Sequence, residues 1–190
     1  MKKAIALLLA LVMVFALCAC GGGDKGTADN GEKVVKIGVF EPASGDSGAG
    51  GKKEMLGMQY ANSLTPTVEI GGETYKVELV YSDNGSDSAK AVSAASKLVN
   101  EKVSLVLGSY GSGVSIAASD TFKQAGIPAI GVTCTNPNVT AGNSHYFRIC
   151  FLDPFQGTVL ANYASSELKA KKAYCLGENG NEYDQGLVTF

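Results

Sequence analysis

Leu105-Val-Leu-Gly-Ser-Tyr-Gly-Ser-Gly-Val-Ser-Ile-Ala-Ala-Ser-Asp120 decides how this chain folds. It opens as a short apolar strand, Leu105–Leu107, breaks at Gly108 and passes through small hydroxylic residues before a helix expected to begin near Val114 or Ser115. A loop that leaves the carboxyl end of a parallel strand and feeds a helix is where open α/β sheets hold their ligands. The helix start adds unpaired N–H groups and a positive dipole end, which suit a carboxylate or phosphate. Ser109, Ser112 and Ser115 place hydroxyls on that rim. Read this way, the loop grips the carboxylate of a small zwitterion. Taken alone, it also reads as an ordinary glycine-rich strand-to-helix connection.

The flanking sequence repeats the same alternation. Upstream, Val34–Phe40 reads as a buried strand, Glu41–Gly51 as a glycine- and serine-rich loop, and Lys52–Leu64 as a helix ended by Pro66. Ile70–Glu73 is a turn and Tyr75–Tyr81 alternates as a strand. Ser88–Asn100 carries Ala91, Val92, Ala95, Leu98 and Val99 at helical spacing, with Asp87 as its cap. The strand of the opening stretch reaches back to Val103, and its helix runs from Ile116 to Ala125, stopped by Gly126. Ile127–Val132 and Tyr146–Phe151 read as strands, Pro154–Lys169 as a helix, Ala173–Leu176 as a further strand, and a last helix starts near Tyr183. Strand and helix alternating in this way predict an α/β fold with a doubly wound parallel sheet.

The N-terminus predicts export. Met1-Lys2-Lys3 is a basic start and Ala4–Leu17 an uncharged apolar run, shorter than the roughly 18–20 residues of a spanning helix. Leu17-Cys18-Ala19-Cys20 resembles the bacterial lipobox, so residues 1–19 are expected to be a lipoprotein signal peptide and Cys20 the lipidated residue. Residues 20–33 read as a flexible polar tether. Loss of Met1–Ala19 leaves 14 of the 16 basic residues against 18 acidic ones, a net charge of −4. A mildly acidic chain without a basic cluster argues against nucleic acid as partner. Cys134, Cys150 and Cys175 have no metal-like spacing; buried free thiols are expected, with one unassigned disulfide left open.

From Val34 to Phe190 the chain resembles the Leu/Ile/Val-type amino-acid-binding proteins of bacterial ABC importers, which have the type I periplasmic binding fold. The segments that carry the resemblance are Lys36–Val39 with Ser44-Gly45, Val77–Val80 with Ser82-Asp83, and Val106 through Asp120. They continue with Gly126–Ile130, Thr135–Thr140, Phe147-Arg148, Asp153 with Gln156-Gly157, and Tyr183–Gly186. The resemblance implies two α/β lobes closing on a ligand. Ser112 falls on the serine that bonds the ligand α-carboxylate, and Thr135 on the threonine that bonds its α-amino or carboxylate group. Thr133 takes the place of a residue contributing its backbone, and Tyr183 that of a tyrosine lining the cleft from the second lobe. Tyr110 is open between lining the cleft and packing between lobes. Arg148 and Asp153 flank the expected crossover between lobes, in structural roles.

Three departures from the family pattern stand out. Gly50 replaces a frequent aromatic residue that packs on the ligand side chain, which is expected to widen the pocket. Ser86 and Gly111 stand where some relatives carry a bracing cysteine pair. The acid that usually meets the ligand ammonium would follow Phe190. The chain is accordingly expected to be a fragment, with residues 34–152 forming most of lobe one and residues 153–190 opening a second lobe. Alone, it is expected to be unstable and to bind poorly.

The expected function is that of a monomeric, lipid-anchored, extracytoplasmic solute-binding protein. It would deliver a branched-chain or other hydrophobic amino acid to the permease of an ABC importer, without cofactor, metal or covalent chemistry. A sensor of the same fold is the alternative. A hydrolase built on Gly45-Asp46-Ser47-Gly48 is the third reading; the lone histidine, His145, follows about a hundred residues later in a polar loop, the wrong order for a trypsin-like triad. The same glycines match neither a Walker loop nor a dinucleotide fingerprint, because Asp46 and Lys53 stand where those motifs need other residues.

Overall fold

The computed structural model describes residues 31–190. The signal segment, Cys20 and nearly all of the tether lie outside the described residues.

Six strands form one sheet: β1 (Lys33–Glu41), β2 (Thr67–Ile70), β3 (Glu73–Asp83), β4 (Leu105–Leu107), β5 (Ala129–Gly131) and β6 (Tyr146–Arg148). Their spatial order is β2-β3-β1-β4-β5-β6. All neighbouring pairs are parallel except β2 with β3, an antiparallel hairpin closed by Gly71-Gly72. Five helices connect or follow these strands: α1 (Gly48–Leu64), α2 (Ser88–Asn100), α3 (Ser112–Gln124), α4 (Asp153–Ser166) and α5 (Glu182–Thr189).

The order of the strands fixes where a ligand can sit. From β1 the chain crosses to β3 on one side, whereas from β4 it moves to β5 on the other. Right-handed crossovers then place α1 on one face of the sheet and α2 with α3 on the opposite face. The reversal leaves a crevice beyond the carboxyl ends of β1 and β4.

The core lies between the sheet and α2 with α3. Phe40, Val106, Ala129 and Tyr146 from the strands meet Ala91, Ala95, Leu98, Val114, Ala118 and Phe122 from the helices. Phe40 and Phe122 stack edge to face, with centroids 5.5 Å apart and planes at 86°. By contrast α1 buries only Gly48 and Gly51 and leaves Leu56, Tyr60 and Leu64 exposed. The strand tips touch closely. Gly108 has φ +118°, and a Cβ there would lie 2.2 Å from the Phe40 carbonyl oxygen, so β1 and β4 meet at a point only glycine fits.

Asp87 caps α2, accepting the N–H groups of Ala89 at 2.7 Å and Lys90 at 3.4 Å. Asp87→Ala should cost about 1 kcal/mol of stability, read as a lower denaturant midpoint with an unchanged slope.

Several boundaries differ from those expected. Helix α1 begins at Gly48, inside the expected loop, because the glycines there form its first turn against the β1 end. Helix α3 starts at Ser112, two or three residues early. The β2 strand, exposed throughout, carries too little apolar patterning to read as one. Ala173–Leu176 is not a strand: Tyr174 and Leu176 are almost wholly exposed, and the segment pairs with no strand among the described residues. Among the described residues the three cysteines are free thiols, and only Cys134 is buried; Cys150 is half-buried and Cys175 exposed. Burial pushes the Cys134 thiol up to about 11, so it stays protonated.

Candidate functional site

A cleft of about 630 Å³ opens over the carboxyl ends of β1 and β4. Its near wall comes from Pro42, Asp46 and Ser47 after β1, Tyr110 through Val114 after β4, and Thr133 and Thr135 after β5. The opposite wall is formed by Phe151 and Gln156 at the start of α4 and by Glu178 through Tyr183 leading into α5.

Two clasps fix the near wall. Asp83, at the end of β3, accepts the N–H groups of Ala43 and Gly85, both at 2.8 Å, and the Ser44 hydroxyl at 2.7 Å. Burial opposes its charge, but these donors outweigh it and hold Asp83 below the usual carboxylate range. Ser86 accepts the Ser47 N–H at 2.9 Å and donates to the Ser44 carbonyl at 3.0 Å. A hydrogen-bonded hydroxyl thus ties the loop after β3 to the loop after β1.

Beneath the wall lies a pair of carboxyls. Glu41, 1 % exposed, accepts the Tyr110 N–H at 2.8 Å through Oε2. Glu54 from α1 stands close by, and burial first, then that neighbouring carboxyl, push Glu41 from 4.5 up to about 10. Glu41 therefore holds its proton at neutral pH. Oε1 of Glu54 accepts the hydroxyl of Thr133, whose Oγ1 also lies 3.5 Å from the Tyr110 carbonyl. Alongside, the fully buried Asn84 donates to Ser109 Oγ at 2.9 Å. Glu41, Glu54 and Asn84 were not singled out from the sequence. Glu41 follows the apolar run Ile37–Phe40 at the end of its strand, and that was the one available signal.

Helix α3 points its amino end into the cleft. Gly111 is its N-cap and supplies no side-chain cap, while Ser112, Gly113 and Val114 line the cleft. The first N–H groups of a helix have no partner within it, so here they are presented to whatever occupies the cleft. Ser112 Oγ accepts the Asn136 N–H at 3.3 Å, which leaves its own hydroxyl proton available to a further acceptor. Thr135 Oγ1 is buried without a protein partner among the described residues.

The five expected ligand residues, Ser112, Thr133, Thr135, Tyr183 and Tyr110, all line this cleft. Tyr183 is held by Gln156 Nε2, which donates to its hydroxyl at 2.8 Å. Ser109 and Ser115 do not reach the cleft. Both are buried, Ser109 on Asn84 and Ser115 on the Gly111 carbonyl at 2.8 Å. Gly50 does not open the pocket, because the Tyr110 ring occupies the space beside it. Arg148 lies off the cleft and locks the 134–140 segment, donating to the carbonyls of Cys134 at 2.9 Å and Pro137 at 3.3 Å and to Thr140 Oγ1 at 3.0 Å. Asp153, fully buried, opens α4 and donates its N–H to the Thr135 carbonyl at 3.1 Å.

Among the described lining residues the charged groups are Asp46, Glu178 and Glu182, with no lysine, arginine or histidine. A carboxylate must therefore be held by hydroxyls and N–H groups, and an ammonium meets acids. Ser47 lines the cleft, but His145 does not; its ring meets Ser144 at 3.2 Å. Among the described residues no histidine stands beside Ser47 in the cleft.

The parallel sheet with a cleft at its switch point defines one lobe of a type I periplasmic binding fold. The periplasmic binding protein family profile matches residues 34–189, and the chain belongs to that family. A Pseudomonas aeruginosa protein named as an amino acid binding protein is 37% identical over 157 residues, covering 81% of this chain and 41% of its own length. A Leu/Ile/Val-binding protein homologue of Brucella melitensis is 32% identical over 156 residues, covering 81% of this chain and 42% of the relative. The crystal structure of a leucine-binding protein from Thermotoga maritima superposes with a TM-score of 0.77 at 35% identity, over 82% of this chain and 44% of that one. A branched-chain amino acid transporter substrate-binding protein from Streptococcus pneumoniae, solved with isoleucine, gives 0.75 at 34% identity, over 83% and 45%. The chain thus spans less than half the length of these relatives.

Proposed function

We propose that the chain is the amino-acid-binding part of an extracytoplasmic solute-binding lipoprotein of an ABC importer. Its ligand is a branched-chain or other hydrophobic amino acid, which it hands to the permease, and it performs no covalent chemistry. The observation that carries this reading is the amino end of α3, presented to the cleft with Ser112 and the free Thr135 hydroxyl, in a cleft whose charged side chains are all acidic. That set suits a zwitterion. Hydrogen bonds to an ionised carboxylate are worth about 1.5–3 kcal/mol each and need no buried counter-ion. The names of the relatives, and isoleucine in one of them, support the same ligand class.

In this reading residues 34–152 form the first lobe and residues 153–190 open a second. The apolar side chains that α4 exposes, Phe155, Val159, Leu160 and Tyr163, are where more of that lobe would pack. Ligand contacts from both lobes would then favour the closed state. Cys20 carries the lipid, and the protein works as a monomer.

Thermal unfolding of the full-length protein with each of the twenty amino acids tests the assignment. A ligand at about 100 times its Kd should add roughly 2.7 kcal/mol. Leucine, isoleucine, valine or another apolar amino acid should raise the melting temperature; no shift with any of the twenty would overturn the reading.

A further inference from the structure

Tyr110 is the side chain in this cleft whose position is most completely imposed on it. A Cβ placed on Gly50 would lie 2.5 Å from both Cε2 and Cζ of Tyr110 and 2.8 Å from Cδ2. The ring therefore lies against the bare backbone of the first turn of α1, in a seat that any side chain at residue 50 would fill. Its N–H is held by Glu41 Oε2 at 2.8 Å. Glu41 is the last residue of β1, so the strand end fixes the loop that carries the ring. Even so, Tyr110 is 43% exposed, and the exposed part lines the cleft two residues before Ser112.

A ring supported from behind and fixed at its backbone cannot retreat from a ligand. A molecule whose carboxylate sits on Ser112 and the start of α3 brings its next atoms to the Tyr110 ring. We propose that Tyr110 sets the size and shape of side chain the cleft accepts, and that Gly50 is its obligatory seat. This rests on the amino-acid-binding reading. It adds that discrimination comes from the β4–α3 loop, with α1 as a passive support.

The test is a set of dissociation constants for alanine, valine, leucine and phenylalanine, measured by titration calorimetry on the full-length protein and its Tyr110→Ala, Tyr110→Phe and Gly50→Ala variants. Melting without ligand shows that each variant is folded. Tyr110→Ala should reorder the series, weakening the best wild-type ligand at least tenfold while phenylalanine loses less or gains. Tyr110→Phe should keep the wild-type order. Gly50→Ala pushes the ring into the cleft and should shift preference toward the smaller ligands. If Gly50→Ala does not fold, the two Tyr110 variants decide. Equal weakening of all four ligands by Tyr110→Ala, or no change, overturns the proposal while leaving the amino-acid reading intact. Failure of the wild-type protein to bind any of the four overturns both.

Discussion

Replacing Ser112 with alanine is expected to weaken amino-acid binding by about 10- to 150-fold, the equivalent of one hydrogen bond to an ionised group. Ser112 combines three properties. It is the first residue of α3, it is 2% exposed at the cleft wall, and its oxygen is already occupied by the Asn136 N–H. The hydroxyl proton is left available to the ligand, and the neighbouring helix N–H groups add to its field. Alanine removes that donor and also leaves the Asn136 N–H without its acceptor. A stability loss of about 1 kcal/mol should therefore accompany the loss of affinity. Calorimetric titration and ligand-free melting separate the two effects. A variant that binds as tightly as the wild type would remove Ser112 from the site.

Glu41→Gln should make the protein more stable at alkaline pH, with a difference from wild type that grows as the pH rises. In the folded state Glu41 is raised from 4.5 to about 10, by burial first and then by Glu54. Between those values the unfolded chain has lost the proton and the folded chain keeps it. The stability that this group contributes is complete below about 4.5 and is lost as pH climbs through the folded value, by roughly 1.4 kcal/mol per pH unit for a single proton. Glutamine presents the same shape as the protonated acid. Its carbonyl can accept the Tyr110 N–H and its amide can donate to Glu54, with no proton to lose. Denaturation midpoints at pH 5, 7 and 9 should therefore converge at the acid end and separate by a few kcal/mol at the alkaline end. Parallel profiles would show that Glu41 does not keep its proton in the folded state.

How much of this was legible in the sequence depends on the range of the interactions involved. Helix α2 was read at its full extent, Ser88–Asn100, because the Asp87 cap, the apolar spacing and the stop are all local. The opening stretch gave its strand, its glycine break and the hydroxyl that lines the cleft. The local pattern does not tell Ser112 from Ser109 and Ser115; only the family resemblance singles out Ser112. Which of three serines faces a cleft depends on Asn84 and Gly111, one of them 25 residues from the serine it binds.

The same limit hid the Glu41–Glu54 pair, whose members come from a strand and a helix with a glycine-rich loop between them. It also misplaced the effect of Gly50. A missing side chain reads as added space until the ring sixty residues later is seen to fill it. Ala173–Leu176 failed for the opposite reason. Its composition suits a strand, but β structure needs a neighbour, and no strand among the described residues pairs with it.

The most direct measurement is titration calorimetry of the full-length protein with L-leucine and with L-leucinamide, which differ only in the ionised carboxylate. If the amino end of α3 and Ser112 hold that group, leucine binds and the amide binds at least a hundredfold more weakly. Equal affinity for the two would contradict the account.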